Sequence, residues 1–161
     1  MSYQIDERIE KTILKYQKKI YSLILYLVGG DKNKAYDICV DTFVDVFNLY
    51  PLADERVFFV KLVKTAIQKS NNIKAVPSKE ILNLIADVKE QEKIVLSTIF
   101  EALLKLDFEN RALLLLRYQL NLTIEEISKI FSLSASQILC NLITACEKLN
   151  KTIKQIVSSS Y

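Results

Sequence analysis

Residues 102–149 decide the fold class of this chain, and they read ALLKLDFENRALLLLRYQLNLTIEEISKIFSLSASQILCNLITACEKL. Thr123 with Glu126 forms a T-x-x-E capping box, and Ser134 with Gln137 forms an S-x-x-Q box eleven residues later. Each box marks the first turn of a helix, because its two side chains bond backbone amides that are otherwise free. Two helix starts at this spacing, with Leu133 between them, predict a short helix, a tight turn and a second helix. This order is typical of a helix-turn-helix, the unit that places its second helix in a DNA groove.

The second helix of this unit is predicted to have a polar row that suits base recognition but carries little charge. The row consists of Gln137, Asn141, Thr144 and Lys148. Asn and Gln can bond adenine through two hydrogen bonds, and Thr can contact the thymine methyl group. Phosphate neutralisation supplies most non-specific affinity, and Lys148 is the only cation of the row, so this helix alone should bind DNA weakly. A second apolar row on its other flank is either additional core or a face for a partner, and it consists of Leu139, Ile143 and Cys146.

Composition predicts an all-α protein without catalytic machinery. Only 2 Gly and 2 Pro occur among the 161 residues, and 50% of the chain is hydrophobic, which favours helices. The chain has no His, which excludes Ser-His and Cys-His nucleophile pairs and most zinc sites. The only adjacent glycines are Gly29 and Gly30, so there is no Gly-rich phosphate loop. We therefore expect a protein that is not an enzyme and that uses no metal or cofactor.

Hydropathy predicts no membrane-inserted segment. The apolar runs are far shorter than the ~20 residues that a membrane span needs. The chain starts with the polar stretch MSYQIDERIEK, which is unlike a secretory signal. We therefore expect the protein to be cytoplasmic.

Three helices are predicted in the first half, over residues 5–28, 31–50 and 54–70. Gly29 and Gly30 can end the first helix, and Asp31 and Asp54 can cap the next two. The predicted core face of the second helix consists of Tyr36, Val40, Phe43, Val44 and Phe47. On its other side an acidic residue recurs every four positions, at Asp37, Asp41 and Asp45. This acidic row is either a solvated face or a docking surface for a basic partner.

The excess positive charge of the chain lies in its first half. Residues 1–77 carry 12 basic and 9 acidic side chains, whereas residues 78–161 carry 10 of each. Five cations fall in a stretch without any acidic residue, and they are Arg56, Lys61, Lys64, Lys69 and Lys74. Such a row is either a phosphate-facing surface or a set of solvated side chains.

The chain is predicted to fold as two small helical domains joined by a linker. Residues 71–79 are polar, include Pro77 and lack apolar periodicity, which is typical of a linker. The predicted division is a helical domain over residues 1–72, a linker with a partial helix over residues 73–99, and a helix-turn-helix domain over residues 100–161.

Residues 103–149 resemble the C-terminal, promoter-recognising domain of bacterial sigma factors, most closely those of the extracytoplasmic-function class. The matching residues are Leu106, Arg111, Leu116, Arg117, Tyr118, Thr123, Glu126, Ile127, Ala145, Lys148 and Leu149. The first half resembles the core-binding domain of the same family, and its matching residues are Ala35, Asp37, Phe43, Phe47, Phe58, Leu62 and Lys64. The resemblance covers about residues 10–72 and 100–152.

The resemblance implies a protein whose partners are core RNA polymerase and promoter DNA, with an anti-sigma protein as a candidate inhibitor. The first domain would dock on the polymerase and help to open the promoter, and the second would recognise the upstream promoter element. Polymerase docking is then expected at Asp37, Asp41, Asp45 and Phe47. DNA binding is expected at Lys61, Lys64, Lys69 and Asn71 in the first domain, and at Arg117, Ser136, Gln137, Asn141, Thr144 and Lys148 in the second.

Three hypotheses about function follow. The first is an alternative sigma factor that directs RNA polymerase to specific promoters. The second is a sigma-like regulator that acts mainly by protein contacts, because the second half of the chain has no net charge and its last helix carries the apolar row Leu139, Ile143 and Cys146. The third is a stand-alone helix-turn-helix transcriptional regulator whose first half dimerises or binds a ligand.

Overall fold

The computed structural model describes residues 2–51, 53–73 and 89–160, and all regular structure within these ranges is helical. The predicted all-α fold is therefore confirmed. In chain order the helices described are α1 (Ser2–Leu27), α2 (Lys32–Leu49), α3 (Glu55–Ser70), α4 (Glu90–Lys105), α5 (Phe108–Leu114), α6 (Ile124–Phe131) and α7 (Ala135–Ser159). A single π-helical turn, Leu115–Gln119, continues α5.

The ends of the first helices lie where glycine and capping residues predict them. After α1 the chain turns at Gly29 and Gly30, whose φ angles of 78° and 90° lie in the left-handed region that glycine adopts without a steric penalty. Asp31 accepts a hydrogen bond from the amide of Lys34 at 3.1 Å. Asp54 accepts one from the amide of Arg56 at 3.0 Å. Both carboxylates thus satisfy first-turn amides that have no partner within their own helix.

One buried apolar cluster runs through both halves of the chain. The predicted core face of α3 is confirmed, because it buries Phe58, Phe59, Leu62, Val63, Ala66 and Ile67. The predicted core row of α7 is also found inside, where Ile138, Leu142 and Ala145 are buried and Leu149 packs against them.

The predicted core face of α2 was only partly right: Phe43 is buried and Phe47 packs against the core, as expected, but the other three predicted residues were wrong. Tyr36, Val40 and Val44 are 64%, 44% and 52% exposed. The helix instead buries Ala35, Ile38, Cys39, Thr42, Phe43 and Val46. Several of these side chains are small, which lets α2 pack against both α1 and α3. The Thr42 hydroxyl donates to the carbonyl of Ile38 at 2.7 Å, so its burial leaves no unpaired donor.

The two halves of the chain contact each other directly. The Nη2 atom of Arg111 donates to the carbonyl of Leu27 at 3.2 Å, and the side-chain amide of Gln119 donates to the hydroxyl of Ser22 at 3.0 Å. Most of the predicted linker, residues 74–88, lies outside the described residues, and α4 begins at Glu90 within the predicted linker range. The division into two domains stays a prediction.

Within the described residues, none of the helices is long and apolar enough by itself to cross a membrane. Among the described helices, the pair α6 and α7 taken together meets that length and composition, and the chain bends by 96° between them.

Candidate nucleic-acid interface

Helices α6 and α7 form a pair joined by a tight turn with both predicted capping boxes complete. The amide of Glu126 donates to Thr123 Oγ1 at 3.1 Å, and the amide of Thr123 donates to Glu126 Oε2 at 3.0 Å. The amide of Gln137 donates to Ser134 Oγ at 3.2 Å, and the amide of Ser134 donates to Gln137 Oε1 at 2.9 Å. Ser132 turns the chain with a φ of 55°. The resulting 96° bend lies within the range of helix-turn-helix units.

The polar row of α7 is accessible over most of its length. Ser136, Gln137, Thr144 and Lys148 are exposed or partly exposed, and Asn141 is half-buried. The oxygen of the Gln137 side chain is used by the capping box, which leaves its amide hydrogens for an outside acceptor. The Thr144 hydroxyl donates to its own helix, to the carbonyl of Cys140 at 3.1 Å, so its methyl group and hydroxyl oxygen are left for a base or a phosphate.

The predicted DNA-binding lysines of α3 divide into two kinds. Lys69 Nζ lies 2.7 Å from Asp45 Oδ2 of α2. Lys69 was predicted to bind DNA and Asp45 to bind polymerase, but in the structure their charges neutralise each other. The ammonium group of Lys61 lies 4.8 Å from the ring centre of Tyr50. Lys64 and Asn71 instead line a cleft that α7 also lines.

This cleft of about 830 Å³ separates α3 from the α6–α7 pair, and we call it the α3/α7 cleft. Its lining includes Lys64 and Asn71 on one side and Asn141, Thr144 and Lys148 on the other. Five of the predicted DNA-binding residues therefore line one cleft, and Asn71, Thr144 and Lys148 are exposed there. Asp107 and Glu109 also line the cleft, and Lys148 Nζ lies 3.8 Å from Asp107 Oδ2.

Beside the cleft, Arg56 of α3 and Glu126 of α6 form a two-point ion pair. The Nε atom of Arg56 lies 2.5 Å from Glu126 Oε1, and its Nη2 atom lies 2.7 Å from Oε2. The hydrogen bonds from Arg56 lower the pKa of Glu126 below its ordinary value of 4.5. Two parallel bonds to an ionised carboxylate are stronger and more directional than a single contact. The sequence indicated a cation at Arg56 and a cap at Glu126, but nothing in it signalled that they would pair.

Two arginines that match the sigma pattern have structural contacts. Arg117 is exposed, and its Nη1 atom donates to the carbonyl of Leu122 at 2.9 Å, which supports the loop before α6. Arg111 is only 4% exposed. Burial lowers its pKa, and the charge of Asp107 opposes that effect.

The predicted polymerase-binding residues also differ in accessibility. Asp37 and Asp41 are exposed on α2. Phe47 is half-buried, with its ring centre 4.8 Å from that of Phe58, and so belongs largely to the packing of the first half. Beside the two exposed carboxylates lies the apolar row that α2 does not bury, Tyr36, Val40 and Val44, which lines a groove of about 460 Å³ against α1.

The second half has apolar surface of its own. Leu139 and Ile143 on α7 are 49% and 60% exposed, so they are not part of the core. A further apolar cavity of about 720 Å³ lies among α4, the π-helical turn and α7. Tyr118, Phe100 and Tyr26 line this cavity, and Tyr26 belongs to α1.

Comparison with known protein families finds no family model that matches the chain. Comparison with curated proteins likewise finds no significant match. Among the residues that the structure describes, no group of three or more Cys, Asp or Glu side chains is placed to hold a metal ion.

Proposed function

We propose that this chain is an alternative sigma factor, a subunit that directs bacterial RNA polymerase to specific promoters in the cytoplasm. The observation that carries the proposal is the α6–α7 pair, with its two capping boxes, its 96° bend and the exposed polar row on its second helix. The resemblance of residues 103–149 to promoter-recognising sigma domains supports the same function, and so does the looser resemblance in the first half.

Polymerase docking is proposed for the exposed side of α2. Asp37 and Asp41 supply negative charge there, and Tyr36, Val40 and Val44 supply an apolar row beside them. A surface with one apolar and one acidic row suits an amphipathic helix with cations along one edge, because burial and charge pairing then reinforce each other. The two acidic residues at this surface are among those that the family resemblance assigns to polymerase.

Promoter contacts are proposed for Lys64 and Asn71 of α3 and for the polar row of α7. Within the polar row of α7 the only cation is Lys148, so this row neutralises few phosphates, and the isolated protein should bind DNA weakly and with a shallow dependence on salt. Binding to polymerase would compensate, because a tethered partner raises the effective concentration of DNA at the helix.

Two measurements test the proposal. Purified protein should co-elute with bacterial core RNA polymerase at low ionic strength, and the complex should give run-off transcripts from a subset of genomic fragments. Val44→Asp should abolish co-elution, whereas Val157→Asp, at an exposed apolar position on α7, should leave it intact. Failure to bind core polymerase at low salt would end the proposal.

A second candidate function is a sigma-like regulator that acts mainly through protein contacts. The exposed Leu139 and Ile143 on α7 favour it, because a helix that only contacted DNA would gain nothing from leaving apolar side chains in water. Under this function the complex with polymerase would form but would show no preference among promoter fragments. Sequence-specific transcripts that disappear in Asn141→Ala would favour the sigma factor instead.

A further inference from the structure

We propose that α7 pairs with α7 of a second copy of this chain, in a parallel two-stranded coiled coil that makes the protein a homodimer. The inference goes beyond the proposed function and does not depend on it, because the pairing uses neither the polar row of α7 nor the exposed side of α2.

The first support is a heptad repeat along α7. The exposed apolar row that starts at Leu139 and Ile143 continues towards the end of the helix in alternating steps of four and three residues. We call this row the α7 seam, and it consists of Leu139, Ile143, Cys146, Asn150, Ile153 and Val157. Steps of four and three residues keep a row on the side of a helix that winds around a partner helix. The seam is separate from the core row of α7, which buries Ile138, Leu142 and Ala145.

The residue types in the seam indicate a second copy as the partner. Leu139 and Ile143 repeat the combination that favours two parallel strands, which is Leu at position d and a β-branched residue at position a. Asn150 occupies the next a position, and a single Asn at a fixes register and strand number. Asn150 is exposed, and within the described part of the chain its side chain has no hydrogen-bond partner. In a parallel pair its amide meets the same amide of the second copy, which supplies both a donor and an acceptor.

The surroundings of the seam are the third support. Its ends are open to water, since Leu139 is 49% and Val157 is 46% exposed. Its middle lines the apolar cavity of about 720 Å³ together with α4, whose Leu96 and Ile99 are 41% and 36% exposed. A helix laid along the seam therefore also covers apolar side chains of α4. Under twofold symmetry each α7 contributes the same surface to the contact, which is the self-complementary arrangement of a homodimer.

Self-association is measured on the full chain by sedimentation velocity, without DNA or polymerase. The seam spans residues 139–157, which is about 27 Å of helix, and so short a coil should form a dimer at micromolar concentrations. Ile143→Asp should raise the dissociation constant at least about a hundredfold, because each dimer then holds two carboxylates in place of two isoleucines. Ile143 is 60% exposed, so this variant should keep its helical circular dichroism.

Two further variants support the interpretation of that result. Val157→Asp changes the far end of the seam and should weaken the dimer in the same way. Thr144→Asp is the matched control, because it introduces the same charge at the adjacent, exposed position on the polar row. Its dissociation constant should stay within about twofold of that of the starting protein.

Orientation is measured by oxidation of Cys146 with copper phenanthroline. In a parallel pair the two Cys146 residues lie in the same layer, whereas an antiparallel seam displaces them by about 6 Å along the axis, which disfavours a disulfide. Cys140→Ala leaves Cys146 as the reactive thiol, since Cys39 is buried and burial raises its pKa to about 11. The Cys140→Ala protein should form a covalent dimer, and adding Ile143→Asp should prevent it.

Each remaining outcome contradicts the proposal. A mass of one chain up to millimolar concentrations overturns it, and so does a mass of three chains. An association that survives Ile143→Asp and Val157→Asp, or that is lost equally in Thr144→Asp, places the contact elsewhere. A dimer without the Cys146 disulfide overturns the parallel arrangement. Because polymerase and DNA are absent, these results are independent of whether the proposed function is right.

Discussion

Replacing Arg111 with Met is expected to lower the free energy of unfolding by about 2–4 kcal/mol. Arg111 is 4% exposed and donates to the carbonyls of Leu27 at 3.2 Å and Leu104 at 3.4 Å. These carbonyls lie at the C-terminal ends of α1 and α4, where the last helical carbonyls lack partners and a nearby cation is favourable. One guanidinium group thus stabilises the ends of two helices that belong to different halves of the chain.

The magnitude follows from what the substitution leaves behind. A buried carbonyl without a partner costs about 1–3 kcal/mol. The Arg111→Met substitution would remove the side-chain partner of one buried and one partly buried carbonyl while keeping most of the apolar packing. The hydrogen bond to Leu27 is at the long end of the usual range and the one to Leu104 is longer than that range, and the Nε atom of Arg111 is buried without a partner. Burying the cation costs free energy, as its lowered pKa indicates. This cost offsets part of the stabilisation that the two hydrogen bonds contribute, so the expected loss of stability on substitution is smaller than the sum of two charged hydrogen bonds.

Urea unfolding followed by far-UV circular dichroism measures this effect. Arg117→Met is the matched control, because Arg117 lies on the same stretch of chain but is exposed, and its loss should cost less than about 1 kcal/mol. An Arg111→Met protein as stable as the starting protein would refute the reasoning. It would mean that burying the charge costs as much as the two hydrogen bonds contribute, as happens for some buried ion pairs.

Three further predictions concern the caps, the ion pair and the docking surface. Thr123→Ala and Ser134→Ala should each lower the free energy of unfolding by about 1 kcal/mol, measured by urea unfolding, because each removes a side-chain cap. Because Arg56 lowers the pKa of Glu126, the pair contributes fully above the ordinary value of 4.5 and is lost only as the pH falls through the lower pKa. The stability difference between the starting protein and Glu126→Gln should therefore be constant near neutral pH and shrink in acid, as followed by unfolding at a series of pH values. Val44→Asp should change the free energy of unfolding by less than about 0.5 kcal/mol, because Val44 is 52% exposed, while abolishing binding in a core-polymerase pull-down.

The features that the sequence predicted well are those set by neighbouring residues. The two capping boxes and the Asp caps appear at the expected residues, since a cap depends only on a side chain and an amide two or three positions away. The core face of α3 was also predictable, because Phe58, Phe59 and Leu62 are among its largest apolar side chains and leave one apolar face.

Helix α2 shows where periodicity fails. Its exposed row of Tyr36, Val40 and Val44 has the same helical spacing as its buried row. The spacing alone does not decide which of two apolar rows packs inside. Contact with both α1 and α3 decides between them, because the row that faces these two helices is buried whatever the size of its side chains, from Ala35 to Phe43.

The contacts between the halves were not predictable from spacing either. Arg56 and Glu126 are 70 residues apart, and Arg111 and Leu27 are 84 residues apart. Charge counts placed a surplus of cations in the first half but carried no information about which of them would be neutralised. As a result, the predicted DNA-binding row of α3 includes Lys69, whose charge is already paired with Asp45.

The scarcity of cations in the polar row of α7 bears on packing as well as on the expected DNA affinity. Arg or Lys side chains at these positions would place like charges opposite Lys64 across the α3/α7 cleft, and repulsion between them would oppose the packing of α3 beside α7. In this chain the cleft positions on α7 include Asn141 and Thr144, and the cation of the row, Lys148, lies near Asp107. The neutral side chains that are expected to weaken DNA binding therefore also avoid charge repulsion across the cleft. The composition of one helix face thus bears both on the packing of α3 beside α7 and on the DNA affinity proposed for the isolated protein.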